Sequence, residues 1–170
     1  MIIGDSLNRG VPSPDTINRR QVGDIKRLYN SDGTWRDVIC LLNDTGAATV
    51  VNQVVMIGFG ASPASGLLAK TLAAVTVDVK IAVAESAIPF GDPGWFAIHG
   101  WVDALVEGTT DVAAGDALMV VVATDADAFV VDTSGANRTT RTGAFALAGQ
   151  TANSAVLTRV LLLSDRCDVD

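Results

Sequence analysis

The chain has 170 residues, the length of one ordinary domain, and 49% of them are hydrophobic. Its formal net charge of −7 disfavours nucleic-acid binding, which depends on cationic contacts to phosphate. The longest uninterrupted apolar run, residues 117–123, is far shorter than the roughly 20 residues that a membrane-spanning helix needs. We therefore expect neither a nucleic-acid partner nor a membrane partner.

The residue types favour strands over helices. The chain has 22 Val and 15 Thr, which favour strands, and 17 Asp and 16 Gly, which favour turns. It has only 2 Glu and 3 Lys, which are the usual residues of exposed helix faces. We predict an all-β fold, namely a small antiparallel β-barrel or sandwich with an extended N-terminal arm and at most one short helix.

Residues 1–20 are predicted to form the arm, and residues 21–170 a single β domain. Pro12 and Pro14 disfavour both a helix and a central strand, because proline lacks the backbone donor and restricts its predecessor. The arm carries Arg9, Arg19 and Arg20, whereas the chain as a whole is acidic. One interpretation is a solvated terminus. The other is an arm that docks on an acidic partner, with these five residues making the contact.

Strand patterns follow at short, regular intervals, as in barrels and sandwiches. The turn sequence Asn30-Ser31-Asp32-Gly33 predicts a hairpin over residues 22–42. Residues 67–74 could form a short helix or a strand. In residues 75–83, Val or Ile occupies every odd position, which predicts a strand with one buried face and one solvated face. Further strands are predicted at 49–59, 95–106, 117–124, 128–131, 143–148 and 155–163.

The sequence offers no convincing catalytic or metal-binding constellation. His99 is the one histidine, and its aromatic neighbours suggest a packed or half-exposed residue in a strand rather than a catalytic base. Cys40 and Cys167 lack the spacing of a zinc or redox motif; a single disulfide between them is one alternative, and reduced structural cysteines are the favoured one. Asp125, Asp127 and Asp132 could supply oxygens to calcium, but without the EF-hand pattern they are more typical of turns. We expect no enzymatic activity, no metal and no cofactor.

Three aromatic residues on one predicted strand, Trp95, Phe96 and Trp101, form the second candidate site. Trp95 and Trp101 are six positions apart and share a face if the strand is regular. Tryptophan is enriched at protein interfaces, so the set is predicted to lie in a core or an oligomer interface. The alternative is an aromatic surface for carbohydrate or host binding.

Several short motifs together resemble one family. They are VGDIKR (22–27), DGTW (32–35), GAATV (46–50), GWVDALV (100–106), VAAGDAL (112–118), GAFALA (143–148) and VLLL (160–163). In this set the chain resembles the head decoration, or capsid cement, proteins of tailed bacteriophages, small β-rich proteins of the virion. The resemblance covers most of the chain after residue 20.

The resemblance implies a non-enzymatic structural protein, made in the host cytoplasm and carried on the capsid exterior of the virion. Such proteins bind the outer surface of an expanded head, often as homotrimers, and stabilise contacts between neighbouring major capsid subunits. N-terminal arms often take part in that attachment. The expected partners are therefore the major capsid protein and further copies of this chain. The alternative function is a β-rich carbohydrate- or host-binding module.

Overall fold

The computed structural model describes residues 21–60, 66–72, 80–106, 111–120, 128–131, 143–149, 151 and 156–163. The described part of the chain is all-β and contains no helix, so it holds none that could span a membrane. Its strands are β1 (Ile25–Tyr29), β2 (Trp35–Asn43), β3 (Val54–Phe59), β4 (Leu67–Lys70), β5 (Ile81–Ala84), β6 (Pro93–Val106), β7 (Ala117–Val120), β8 (Phe129–Val131), β9 (Ala144–Ala146) and β10 (Val156–Leu162).

The strand pairings close two rings that share the 14-residue strand β6. The first ring runs β2–β4–β3–β5–β6 and closes where β6 pairs with β2. The second runs β6–β10–β9–β7–β8 and closes through one residue pair, Val106 with Phe129. Most pairings are antiparallel, but β2 with β4 and β6 with β8 are parallel. Closure gives each strand of the rings a hydrogen-bonded neighbour on both sides, while β1 extends the sheet from β2.

Each ring is filled by side chains from its own strands. The core of the first ring takes alternate residues from all five strands, together with Ile88 from the loop before β6. Its members are Ile39, Leu41, Val55, Ala69, Ala82, Ala84, Ile88 and Phe96. A second, larger cluster includes Val102, Ala104, Val106, Phe129 and Val160 of the second ring. The second cluster also contains Val38, Val54 and Val83, which lie on the outer face of the first ring. The two rings therefore share one continuous layer of buried valines.

A register shift in β6 makes this sharing possible. Asp37 pairs with His99 but Val38 pairs with Ala97, so Ile98 is an extra residue in β6. Gly100 follows at φ 93°, and a Cβ at this position would collide with the carbonyl oxygen of Trp35. A one-residue shift moves every later side chain to the other face of a strand.

A buried polar cluster holds one end of the first ring. Asn43, with no exposed surface, donates through Nδ2 to the carbonyl oxygens of Ala47 and Ile88, both at 2.8 Å. Its Oδ1 accepts from the backbone N–H of Thr45 at 3.0 Å and from the Thr45 hydroxyl at 2.8 Å. Thr49 is 1% exposed, and its hydroxyl accepts from the backbone N–H of Ile88 at 3.0 Å. These bonds tie the loop after β2 to the loop before β6.

The fold class and the predicted hairpin are confirmed. β1 and β2 pair in antiparallel register, with Tyr29 opposite Trp35. Residues 67–70 form a strand, not a helix. The predicted third strand begins at Val54 instead of residue 49, because residues 50–53 turn and Asn52 adopts φ 66°. Of the predicted strand over 75–83, residues 75–79 lie outside the described residues.

The prediction of a solvated face on that strand is wrong at Ala82. Ile81 and Val83 are buried as expected, but Ala82 and Ala84 are also buried, at 0% and 1% exposure. β5 lies between the two clusters, so its odd side chains enter one and its alanines enter the other. In this strand, the alternation of large and small residues therefore corresponds to two buried faces, one with large side chains and one with alanines.

The close approach at Gly100 gives a testable prediction. We expect Gly100→Ala to lower the free energy of unfolding more than Gly115→Ala does. Both glycines have positive φ, so each substitution carries a backbone cost of about 1–2 kcal/mol. A Cβ at Gly115 would meet nothing within 4 Å, whereas one at Gly100 meets the backbone of Trp35 and Arg36. Urea unfolding of both variants measures the difference, and equal losses would contradict the proposed role of the close approach.

Candidate functional site

The five predicted arm residues, Arg9, Pro12, Pro14, Arg19 and Arg20, lie outside the described residues. The aromatic set on β6 is described, and the structure divides it between two faces. Trp95 packs against the larger cluster, while Phe96 is fully buried in the core of the first ring. After the register shift, Val102 takes the face of Trp95 and leaves half-buried Trp101 on the opposite face. The condition for a shared aromatic face, a regular strand, is not met.

Strand β1 presents an exposed apolar surface beside the first ring. Ile25 is 63% exposed and Tyr29 is 73% exposed. Arg27 lies between them in sequence, and its guanidinium stacks 3.8 Å from the ring centroid of Trp35. On the other face of β1, Leu28 packs against the larger cluster. We call Ile25, Arg27, Tyr29 and Trp35 the β1 surface.

Ile25, Arg27 and Tyr29 direct their peptide groups away from β2. The backbone N–H of Asn30 donates to Thr34 at 2.7 Å, and that of Cys40 donates to Asp24 at 2.8 Å. In an antiparallel ladder, every second residue of a strand bonds to the neighbouring strand. Because the even-numbered Asp24 and Asn30 bond on the β2 side, the odd-numbered residues between them turn their N–H and C=O groups outward. Within the described residues β1 pairs with β2 alone, which makes its outer side an open sheet edge.

His99 lies beside the carboxylate of Asp37, which is already bound to Arg27. Asp37 accepts from Arg27 through both oxygens, at 2.8 Å and 3.0 Å, and this bond chiefly lowers the pKa of Asp37. The His99 Nδ1 atom lies 3.7 Å from Asp37 Oδ2, which is longer than a hydrogen bond. His99 packs edge-on against Trp35 with ring centroids 5.1 Å apart. The expectation of a half-exposed, packed histidine is confirmed, since its side chain is 34% exposed.

A polar cleft lies beside β6 just after Gly100, where that strand passes from the first ring to the second. Its volume is about 180 Å³, and its lining residues are Asn30, Arg36, Asn52, Glu85, Trp101, Val102, Asp103 and Arg159. Arg36 and Glu85 form a two-bond ion pair with both N–O distances at 2.7 Å. Arg36 also donates to the side-chain oxygen of Asn30. Its pairing with Glu85 raises the pKa of Arg36.

The second arginine of the cleft connects β10 to the β1–β2 turn. Arg159 donates from Nε to Asp103 at 2.5 Å and from Nη1 to Asp32 at 3.1 Å. Asp32 also accepts from the hydroxyl and the backbone N–H of Thr34, at 2.5 Å and 2.9 Å. These bonds, first that from the Thr34 hydroxyl, lower the pKa of Asp32 to about 2. The arginines and carboxylates of the cleft are thus bound to one another.

Other predicted chemistry has no counterpart in the described part of the chain. That part holds no group of three His, Cys, Asp or Glu side chains that could bind a metal. Asp125, Asp127 and Asp132 lie outside it, so the calcium alternative stays a prediction. Cys40 is fully buried in β2, and Cys167 lies outside the described residues.

Sequence reasoning missed the cleft because its residues come from distant segments. Arg36 and Glu85 are 49 positions apart, and Arg159 and Asp32 are 127 apart. Scarcity was the one available signal, since Glu85 is one of two glutamates. Part of the β1 surface is visible in the sequence, because Ile25, Arg27 and Tyr29 occupy one face of a predicted strand.

Comparisons with known proteins add little to this geometry. No protein family matches the sequence, and no curated protein matches it. One solved structure with a similar arrangement is the head fiber gp8.5 N base in bacteriophage phi29, at 13% sequence identity and a TM-score of 0.48. The match covers 74% of this chain and 92% of that one. At these values it carries no conclusion about function.

The depressed pKa of Asp32 predicts a pH dependence of stability. A carboxyl whose folded pKa lies below its usual 3.8 stabilises the fold above that value and loses this contribution as pH falls towards about 2. We therefore expect Asp32→Asn to lower the melting temperature at pH 7, with the gap from the parent protein closing between about pH 4 and pH 2. Calorimetry across this range measures the gap.

Asp92→Asn is the matched control for that experiment. Asp92 is exposed, and its carboxylate makes no hydrogen bond or ion pair with a described residue. We expect this variant to follow the parent protein at every pH. A gap for Asp32→Asn that stays constant down to pH 2 would show that the carboxylate is not held as described.

Proposed function

We propose that the chain is a non-enzymatic structural protein of a phage virion, which binds the outer surface of the capsid and stabilises contacts between major capsid subunits. The observation that carries the proposal is the β1 surface, where exposed Ile25 and Tyr29 lie along an open sheet edge. The family resemblance of the sequence motifs points to the same role. The all-β fold is compatible with it.

An open edge bearing apolar side chains is a feature that soluble proteins usually avoid, because it recruits other strands. Here it is also stiffened, since the stacked Arg27 is fixed by two bonds to Asp37. A rigid surface loses little side-chain entropy on binding. A protein partner that supplies a strand and an apolar face would satisfy both the peptide groups and the side chains of β1.

We propose that the basic arm acts together with this surface. Arg20 precedes Ile25 by five residues, a distance of at most about 18 Å for an extended chain. The arm's arginines can pair with carboxylates in two-bond geometry, which the acidic body of this chain would otherwise repel. We propose that arm and β1 surface together form the capsid attachment site.

The chemistry of the cleft favours binding over catalysis. A general acid or base needs a pKa near the working pH, whereas the pKa of Asp32, which accepts a bond from Arg159 at the side of the cleft, is lowered to about 2. Asp103 and Glu85 are occupied by the guanidinium groups of Arg159 and Arg36. Such paired charges fix the positions of these side chains.

We further propose that the chain acts as a homotrimer on the capsid. Weak contacts repeated in several subunits gain strength through effective concentration, so no single subunit needs a deep pocket. The alternative is a carbohydrate- or host-binding module built on Trp95 and Trp101 together. It loses its geometric basis because the two indole side chains lie on opposite faces of β6.

The β1 surface can be tested by capsid retention. We expect Tyr29→Ser to reduce co-sedimentation with expanded, empty heads of the phage that encodes this chain by at least tenfold. The reason is that removal of an exposed aromatic anchor weakens an interface without disturbing the core. Phe59→Ser is the control, because Phe59 is similarly exposed, at 79%, but lies at the end of β3. Equal retention of the two variants would contradict the assignment of β1.

The arm can be tested separately. We expect a chain beginning at Gln21 to keep its melting temperature and to lose capsid retention, and we expect Arg9, Arg19 and Arg20 changed together to Gln to lose it too. Retention of the parent protein should fall as salt shortens the Debye length below about 8 Å. Changing the three residues to Lys preserves charge and serves as the control. Unchanged retention on truncation would remove the arm from the attachment site.

A further inference from the structure

Two loops at one end of the first ring carry exposed apolar residues outside the β1 surface. One is the loop after β2, and the other is the loop before β6. The exposed fractions of Val50, Val51 and Phe90 are 54%, 53% and 56%. Clustered exposed apolar residues often mark protein–protein contacts. We define the end surface as these three residues with the exposed alanines and proline beside them, namely Ala47, Ala48, Val50, Val51, Pro89 and Phe90.

Hydrogen bonds hold the two loops side by side. The backbone N–H of Thr49 donates to the carbonyl oxygen of Ile88 at 2.9 Å, and the N–H of Ile88 donates to the Thr49 hydroxyl at 3.0 Å. The buried amide of Asn43 donates to the carbonyl oxygens of both Ala47 and Ile88. The end surface is therefore one connected surface whose backbone is already fixed, so it loses little conformational entropy on binding.

The end surface carries no charge. Charged residues make up 18% of the chain, whereas residues 45–53 and 86–91 contain none. The nearest charged residues in the sequence are Asp44, Glu85 and Asp92, which flank the two loops. An apolar centre with a polar margin is the usual composition of a protein–protein interface.

This lack of charge favours a second copy of the chain as the partner. Each copy has a formal net charge of −7, so copies repel one another over most of their surfaces. In a closed symmetric oligomer, the residues nearest the axis meet the same residues of the other copies, and like charges there would cost free energy. An uncharged surface avoids that cost. An acidic partner, such as the one that the basic arm fits, would find no opposite charge on the end surface.

We propose that copies of this chain associate through the end surface, with Phe90, its largest side chain, next to the symmetry axis. The inference rests on the homotrimer of the proposed function and names its interface. Trp35 of the β1 surface lies at the opposite end of β2 from Asn43, about 26 Å away at 3.3 Å per residue. A trimer formed through the end surface therefore keeps its β1 surfaces free for the capsid.

The size of the end surface sets the expected affinity. A standard interface has roughly 20–30 residues on each side, whereas residues 45–51 and 86–91 provide fewer. We therefore expect the free protein to associate with a Kd in the micromolar range. On a capsid, several attached copies would strengthen this contact through their effective concentration.

Sedimentation equilibrium of the full chain without capsids, between about 1 and 200 µM, tests the interface. We expect the parent protein to reach a multiple of its 17.6 kDa mass. Phe90→Glu and Phe90→Lys should each weaken association at least tenfold, because like charges then meet at the axis. Phe59→Glu is the matched control, since Phe59 is 79% exposed but lies at the end of β3, and it should leave association unchanged. Val51→Glu replaces either Phe90 variant if its melting temperature differs from that of the parent.

A mixture of the Phe90→Glu and Phe90→Lys variants tests whether Phe90 meets its own counterparts. Opposite charges then meet, so the mixture should associate at least tenfold more tightly than either variant alone. This gain should disappear in 1 M salt, where the Debye length is about 3 Å. An oligomeric parent with unchanged Phe90 variants, or a mixture without this gain, would overturn the interface and leave the homotrimer standing.

Two further outcomes would also overturn the interface. A parent protein that stays monomeric over the whole concentration range would contradict both the homotrimer and the end surface as its interface. Reduced capsid retention of Phe90→Glu with the mass of the parent protein would assign the end surface to the capsid instead. Neither result depends on the β1 surface, which is tested by capsid retention of Tyr29→Ser.

Discussion

The close approach of Gly100 to the carbonyl of Trp35 is the constraint on which the rest of the structure depends. Gly100 lies two positions after the extra residue Ile98, where β6 changes register against β2. Before the shift, odd-numbered Trp95 and Ala97 face the larger cluster. After it, even-numbered Val102, Ala104 and Val106 do so, and they fill the second ring. A regular β6 would have turned these three side chains away from the larger cluster and Asp103 towards it.

The same shift affects the surroundings of both candidate surfaces. It places Trp101 and Asp103 on the side where Arg159 and Arg36 converge, and it opens the cleft next to the crossing of the two rings. It also puts His99 beside Trp35, at the root of the β1 surface. Thus one irregularity in a single strand joins the packing of two rings to the placement of the polar groups. Bulges near functional sites often re-aim side chains in this way.

The charged groups serve order more than reactivity. Arg27, Arg36 and Arg159 each bind a carboxylate: Arg27 does so within the β1–β2 hairpin, whereas Arg36 and Arg159 join segments distant in sequence. Exposed pairs of this kind add little stability individually, since solvent screens them. The geometric effect is larger for Arg27 and Arg36, because each makes two bonds to one carboxylate and such contacts fix both side chains.

The candidate site divides between what local patterns reveal and what they hide. Alternation places Ile25, Arg27 and Tyr29 on one face of the predicted first strand, whereas only the structure shows that this face is exposed. The cleft does not, since Arg36, Glu85 and Arg159 meet only when β2, β5 and β10 pack around β6. The buried role of Asn43 was likewise hidden, because asparagine before Asp-Thr-Gly has the pattern of an exposed turn.

The sequence by itself determined the all-β class, the first hairpin and most of the strands in order, because β-branched residues and turn residues act over a few positions. Tertiary structure alone decided the rest. Whether Ala82 faces water or a second core depends on what packs across β5. Which face Trp101 takes depends on an extra residue whose only local sign is a glycine two positions on. Strand periodicity is a local property, whereas ring closure and register are set by contacts between segments far apart in the chain.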